Sequence, residues 1–76
     1  MFVVNKEKNS LNDFERLAFC FPEHDDAVAY AQSVALDLAV NLDGELFEKE
    51  TCDGSVEYVF CSQDAVYKVF VEGEEQ

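Results

Sequence analysis

The sequence has few basic residues. Lysine and arginine together number 5, against 17 aspartate and glutamate residues, so the formal net charge at pH 7 is −12. A protein that binds nucleic acid through its phosphates needs a cluster of basic side chains, and binding to an anionic lipid surface needs the same. The composition therefore excludes both ligands, and any partner of the chain is expected to be basic.

Glycine and histidine are also scarce, with three glycines and one histidine. Phosphate-binding loops need closely spaced glycines, and a nucleophilic triad needs a histidine beside its nucleophile. His24 precedes Asp25 and Asp26, a cluster typical of an exposed helix start. Catalysis with Cys20 and metal binding are the alternatives, but Cys20 is expected to point into the core, and neighbouring helix-start residues diverge. We predict that the chain is not an enzyme and binds no metal or cofactor.

The three cysteines, Cys20, Cys52 and Cys61, are odd in number and have no Cys-x-x-Cys spacing. These features argue against a disulfide framework and against a zinc site. Cys20 and Cys61 lie in apolar, strand-like runs, so we expect them to be buried free thiols. Cys52 lies beside a predicted turn and is expected at the surface.

No apolar run approaches the roughly 20 residues of a membrane-spanning helix, and the first residues lack the basic start and apolar core of a signal peptide. The length of 76 residues predicts a single domain, residues 1–76. Its apolar content of 49% is typical of a globular protein rather than a disordered one. We expect a cytoplasmic protein.

The stretch from His24 to Gly44 predicts the one long helix of the chain. Asp25 or Asp26 can cap its N-terminus, and both place negative charge at the positive end of the helix dipole. Alanines within the stretch favour helix formation. Gly44 can adopt the left-handed conformation that ends a helix.

The apolar surface of this helix is broader than one small sheet can cover. Ala29, Leu36 and Val40 extend it round one flank, whereas Asp26 and Asp37 belong to the remaining polar stripe. Single apolar residues are common at protein surfaces, so an exposed flank is one interpretation. The other is self-association, a homodimer in which the flank meets a second chain.

Short runs of apolar and β-branched residues predict strands on both sides of the helix. The runs are Met1–Val4, Glu15–Phe21, Glu45–Thr51, Val56–Ser62 and Ala65–Val71. The polar stretch 5–10 is predicted as a loop, and Asp53-Gly54 is a strong hairpin signal. The last three runs form an antiparallel meander. We therefore predict an α+β fold, with one helix packed on a three- to five-stranded antiparallel sheet in the order β(β)αβββ.

Acidic residues crowd the first hairpin of this meander and could form one acidic patch. Its members are Glu45, Glu48, Glu50, Asp53 and Glu57. Residues two apart in a strand share a face at about 6.6 Å, which pairs Glu48 with Glu50, and Glu57 follows across the predicted turn. A solvated surface is the simpler interpretation. The alternative is a surface that binds a basic groove on another protein, with Asp26 and Asp37 as a second, smaller stripe.

With this acidic set, the meander from Glu45 to Val71 and its small size, the chain resembles small phage-encoded inhibitors, including anti-CRISPR proteins and other DNA mimics. The resemblance implies a protein that binds the nucleic-acid groove of a bacterial defence complex. Two functional hypotheses follow. The first is a non-enzymatic acidic inhibitor of a basic, nucleic-acid-binding surface, and the second is a regulatory or structural interaction module that acts as a homodimer through the helix flank.

Overall fold

A computed structural model of the chain describes residues 1–50 and 56–73. Its elements in chain order are β1 (Phe2–Ser10), β2 (Asp13–Phe21), α1 (His24–Asn41), β3 (Gly44–Glu50), β4 (Val56–Ser62) and β5 (Ala65–Gly73). Within this part of the chain, five strands form one antiparallel sheet in the order β2-β1-β5-β4-β3, and α1 packs on one face of it. The predicted α+β fold and element order are confirmed.

β1 and β2 form a long hairpin with Leu11-Asn12 at its tip, and Ser10 pairs with Asp13. The Ser10 hydroxyl donates a hydrogen bond to the Asp13 carbonyl at 3.1 Å. The prediction of a loop at residues 5–10 is wrong, because β1 continues to Ser10. Pairing with β2 on one side and β5 on the other satisfies its backbone, and this outweighs its polar composition.

The N-terminus of α1 differs in detail from the prediction. The N-cap is Glu23 in extended conformation, and its side chain makes no capping hydrogen bond. Its carbonyl accepts the N–H of Ala27 at 3.2 Å. Neither Asp25 nor Asp26 is the cap, because both already lie in the first turn. Their negative charges there still interact favourably with the positive end of the helix dipole.

The helix ends at Asn41, before the predicted Gly44. Leu42 is the C-cap in extended conformation, and its N–H donates to the Leu38 carbonyl at 3.0 Å. Gly44 instead begins β3 opposite β4, where an added Cβ would collide with the Cys61 carbonyl oxygen. A glycine is therefore needed here for close approach of two strands rather than for the helix end.

The core lies between α1 and the central strands. Ala27, Ala31 and Ala35, spaced four residues apart, are completely buried against the sheet. Their small side chains let the helix backbone approach large sheet residues such as Phe60 and Val69. The predicted inward faces of β4 and β5 are confirmed, since all six members belong to or pack against this core: Val56, Tyr58, Phe60, Tyr67, Val69 and Val71.

The sheet has a helix face, which α1 covers, and an open face on the other side. Side chains alternate between the faces along each strand, and ladder partners share a face. Cys20 pairs with Val3, next to the core residue Val4, and so lies on the open face. It is exposed, so the prediction of a buried thiol is wrong for Cys20. Cys61 is half-buried, and Cys52 lies outside the described residues.

Candidate functional site

Two of the predicted acidic residues lie together on the helix face. Glu48 pairs with Tyr58, and Glu50 pairs with Val56, two residues that contribute to the core beneath α1. Both carboxylates are exposed, because β3 is an edge strand. Burial raises the pKa of the Tyr58 hydroxyl above 10.0, and the negative charge of Glu48 raises it further.

The other residues of the predicted patch are not part of this pair. Glu57 pairs with Lys49 on the open face, and Glu45 pairs with Cys61 on that same face. Asp53 lies outside the described residues. The prediction of a single patch containing all five residues is therefore wrong, because Glu45 and Glu57 lie on the opposite face from Glu48 and Glu50.

The register of the ladder explains this division. Counting outward from a two-residue turn at Asp53-Gly54 would place Glu50 opposite Glu57, whereas the structure pairs Glu50 with Val56. A shift of one residue moves every side chain of a strand to the other face. The observed register sets Glu57 opposite the positive Lys49 instead of a second glutamate, which removes a destabilising like-charge pair.

Asp26 and Asp37 are exposed on α1 and lie on one side of it, because 11 residues make about three whole turns. Asp37 lines a groove of about 390 Å³ with Lys6, Tyr30 and Val34, on the β2 side of the helix. The sheet places β2 and β3 at opposite edges. The two aspartates therefore lie on a surface separate from the β3 glutamates.

The predicted self-association residues are all exposed. Leu36 is 52% exposed and Val40 is 82% exposed, and Ala29 is also exposed. At about 100° per residue, the three lie on the side of α1 opposite the buried Ala31. We call this surface the helix back. It is an apolar stripe that points away from the sheet rather than along its flank.

Positive and negative charge are unevenly divided along the chain. Residues 1–21 contain three basic and three acidic side chains, so the β1–β2 hairpin is neutral overall. Residues 22–76 contain the remaining 14 acidic residues and only two basic ones, Lys49 and Lys68, and thus carry the whole net charge of −12. One edge of the sheet, β2, belongs to this neutral hairpin, although the strand itself carries Asp13, Glu15 and Arg16, whereas the other edge, β3, carries three glutamates and one lysine. A segment-by-segment charge count would have revealed this from the sequence.

The acidic edge consists of Glu45, Glu48 and Glu50, all exposed on β3, with Asp43 immediately before them. Lys49 is the one basic residue of the strand, and its partner Glu57 balances its charge across the ladder. The backbone edge of β3 that faces away from β4 has no neighbouring strand in the described part of the chain. Carboxylates on both faces of a free edge are accessible to another protein.

Residues 1–50 and 56–73 contain no group of three or more histidine, cysteine, aspartate or glutamate side chains that could hold a metal ion. The described helix is not long and apolar enough to cross a membrane. Comparisons with protein-family models, with curated proteins and with solved structures found no match. The described residues form a two-layer α+β fold, with a neutral hairpin at one side of the five-stranded sheet and an acidic edge strand at the other.

Proposed function

We propose that this chain is a non-enzymatic acidic inhibitor that binds the basic, nucleic-acid-binding surface of another protein. The observation that carries the proposal is the concentration of the entire net negative charge after residue 21, with the acidic edge exposed at one side of the sheet. A bacterial defence complex is the partner that the resemblance to anti-CRISPR proteins and other DNA mimics implies.

The arrangement of the carboxylates supports this function. Glu48 and Glu50 project from a regular strand, with a spacing of about 6.6 Å set by the backbone. A rigid array loses less conformational entropy on binding than the same charges on a flexible segment. The field of a net charge of −12 also accelerates encounter with a basic partner, so association should slow steeply as salt is added.

A second candidate is an interaction module that acts as a homodimer through the helix back. The exposure of Leu36 and Val40 favours it, because two such stripes could bury each other. The charges beside the stripe weigh against it. Asp26 and Asp37 flank the stripe, and helix packing would bring them towards the same residues of the second copy.

Binding to proteins of a bacterial lysate tests the first candidate. The purified chain is immobilised, and the captured proteins are identified by mass spectrometry at low and high salt and in the presence of competing double-stranded DNA. We expect nucleic-acid-binding proteins that DNA displaces. A bound set that DNA does not displace would argue against nucleic-acid mimicry.

A pair of variants with equal change of charge locates the binding surface. Glu48→Lys with Glu50→Lys reverses two charges of the acidic edge, whereas Asp64→Lys with Glu72→Lys reverses two charges elsewhere. We expect the first variant to lose DNA-displaceable binding by at least tenfold, mainly through slower association, and the second to retain most of it. Equal loss in both variants would show that overall charge matters and the acidic edge does not.

A further inference from the structure

The edge strand β2 is unusually open for a strand with so many apolar residues. Every residue from 11 to 20 is exposed. Leu17 and Phe19 lie on the helix face, where α1 leaves them 55% and 36% exposed, and Phe14 on the open face is 57% exposed. β2 therefore presents apolar side chains on both faces, next to a backbone edge that pairs with no other strand among residues 1–50 and 56–73.

Three devices that commonly prevent an edge strand from pairing, namely proline, a bulge and lysine, are absent from β2, whose charged residues are Asp13, Glu15 and Arg16. Edge strands are commonly interrupted by proline or a bulge, or carry lysines that project from the edge. The ladder of β2 with β1 is continuous over nine pairs from Asp13 to Phe21, and Pro22 comes only after it. The strand contains no lysine, and Arg16 is its one basic residue.

Arg16 is held against its own sheet. Its guanidinium donates a hydrogen bond to Asn5 Oδ1 at 2.9 Å and lies 3.9 Å from the carboxylate of Glu7. Both partners belong to β1, so the side chain extends inward across the open face and away from the free edge. The one cation of β2 thus does not protect the edge.

Charge selects the kind of partner that can use this edge. Two copies meeting at β3 would bring Glu45, Glu48 and Glu50 together with their counterparts, and two copies meeting at the helix back would approach through Asp26 and Asp37. The β1–β2 hairpin is neutral, so a second copy meets the least repulsion there. A basic partner gains less from this neutral hairpin than from the acidic edge on β3.

We propose that β2 pairs antiparallel with β2 of a second copy, about a two-fold axis at Leu17, and joins the two five-stranded sheets into one. All nine residues of the strand then find a cross-strand partner. Glu15 lies opposite Phe19 of the second copy, and the two Glu15 residues stand four residues apart along the strands, or about 13 Å. Leu17 meets its own counterpart on the helix face.

The hairpin geometry provides the hydrogen bonds for this pairing. A two-residue tip makes Ser10 and Asp13 a hydrogen-bonded pair, and such pairs alternate along an antiparallel ladder. The N–H groups of Phe14, Arg16 and Ala18 therefore point away from β1, towards the free edge. In the joined sheet both helices lie on one side, and the two acidic β3 edges form its far ends.

Sedimentation analysis of the intact chain at micromolar concentration tests the proposal, and three variants locate the contact. Ala18→Pro removes an outward N–H without removing a hydrogen bond to β1, and Leu17→Lys places like charges at the two-fold axis. Leu36→Glu alters the helix back as a matched control at an exposed leucine. Circular dichroism verifies that each variant is folded.

We expect a dimer for the natural chain and for Leu36→Glu, and a monomer for Ala18→Pro and Leu17→Lys. Leu17 is exposed, so Leu17→Lys keeps the test decisive even where Ala18→Pro does not fold. A monomeric natural chain overturns the proposal. A dimer that survives Leu17→Lys, or one that Leu36→Glu abolishes, overturns it equally, because the contact is then not confined to the β2 edge.

Discussion

Asn5 is a buried polar residue that holds the Arg16 side chain on the open face of the sheet. It is 1% exposed beneath the open face, between Ala18 of β2 and Phe70 of β5 in the ladders. Its oxygen accepts a hydrogen bond from Arg16, while its Nδ2 has no partner in the part of the chain that the structure describes. An unsatisfied buried donor costs roughly 1–3 kcal/mol. Asn5 bears this cost at the same site where it accepts the hydrogen bond from Arg16. That bond holds the one cation of β2 inward, across the open face.

Ionisation of Tyr58 lowers the stability of the fold at alkaline pH. Burial, followed by the charge of Glu48, raises its pKa above the ordinary value of 10.0, so the folded chain holds the phenolic proton more tightly than the unfolded chain. The resulting stability is fully present below pH 10 and is lost as the pH rises through the folded-state pKa. We expect the thermal midpoint to fall above pH 10, and to fall less in Tyr58→Phe.

Tyr67→Phe is the matched control for this measurement, because it removes another core-packing tyrosine and leaves Tyr58 in place. Differential scanning fluorimetry from neutral to strongly alkaline pH compares the three proteins. The decline should persist in Tyr67→Phe. If Tyr58→Phe declined as steeply as the natural chain, ionisation of Tyr58 would not be the cause.

At the scale of elements, the helix is fixed by packing more than by its ends. Three buried alanines hold it against the sheet. Among the described residues, the side chains of the cap residues Glu23 and Leu42 make no capping hydrogen bond. Tyr30 anchors the helix laterally, with its ring centroid 5.1 Å from those of both Phe19 and Phe21. The helix therefore draws stability from β2, the edge strand that is otherwise exposed.

The uncapped N-terminus of α1 offers a way to stabilise the protein. Glu23 already has the extended backbone of an N-cap, but its side chain does not bond to the first-turn N–H groups. Aspartate at this position has the length to accept such a bond and keeps the charge. We expect Glu23→Asp to raise the free energy of unfolding by about 0.5–1 kcal/mol in urea denaturation. Glu23→Gln should bring no gain, and an equal gain in both variants would refute capping as the reason.

At the scale of the whole molecule, uncompensated charge opposes the compact state. The chain carries a net charge of −12 and has a Cα radius of gyration of 12.3 Å. This radius is comparable to the Debye length of about 10 Å at 0.1 M salt. Salt at this concentration therefore screens the repulsion between most pairs of exposed charges. The distribution matters as much as the sum, because the neutral hairpin and the acidic edge lie at opposite sides of one sheet.

We expect salt to stabilise the protein. The thermal midpoint should rise as sodium chloride is increased from a dilute buffer to physiological ionic strength, since screening weakens the self-repulsion of the folded chain. Magnesium chloride at matched ionic strength separates screening from specific cation binding. A midpoint that did not change with sodium chloride would show that the charges are too well solvated to affect folding.

The amino-acid sequence alone predicts the elements and their order. Alternation within Val56–Ser62 and Ala65–Val71, and a continuous helical pattern from His24, depend on residues close together in the chain, and local geometry is enough to interpret them. It also determined that charge would dominate the surface. Even the neutral first 21 residues and the acidic remainder can be counted without a structure.

Which side chains share a surface depends on pairing between strands that are distant in the chain. The pairing of Glu50 with Val56, one residue away from the register that a turn signal suggested, separates Glu57 from Glu48. Strand order is likewise a long-range property, since β1 becomes an interior strand only because β5 returns to pair with it. That return extends β1 through a polar stretch and leaves β2 and β3 as the free edges. The physical reason is that pairing between distant segments depends on the balance of the whole sheet, which no short stretch of sequence contains.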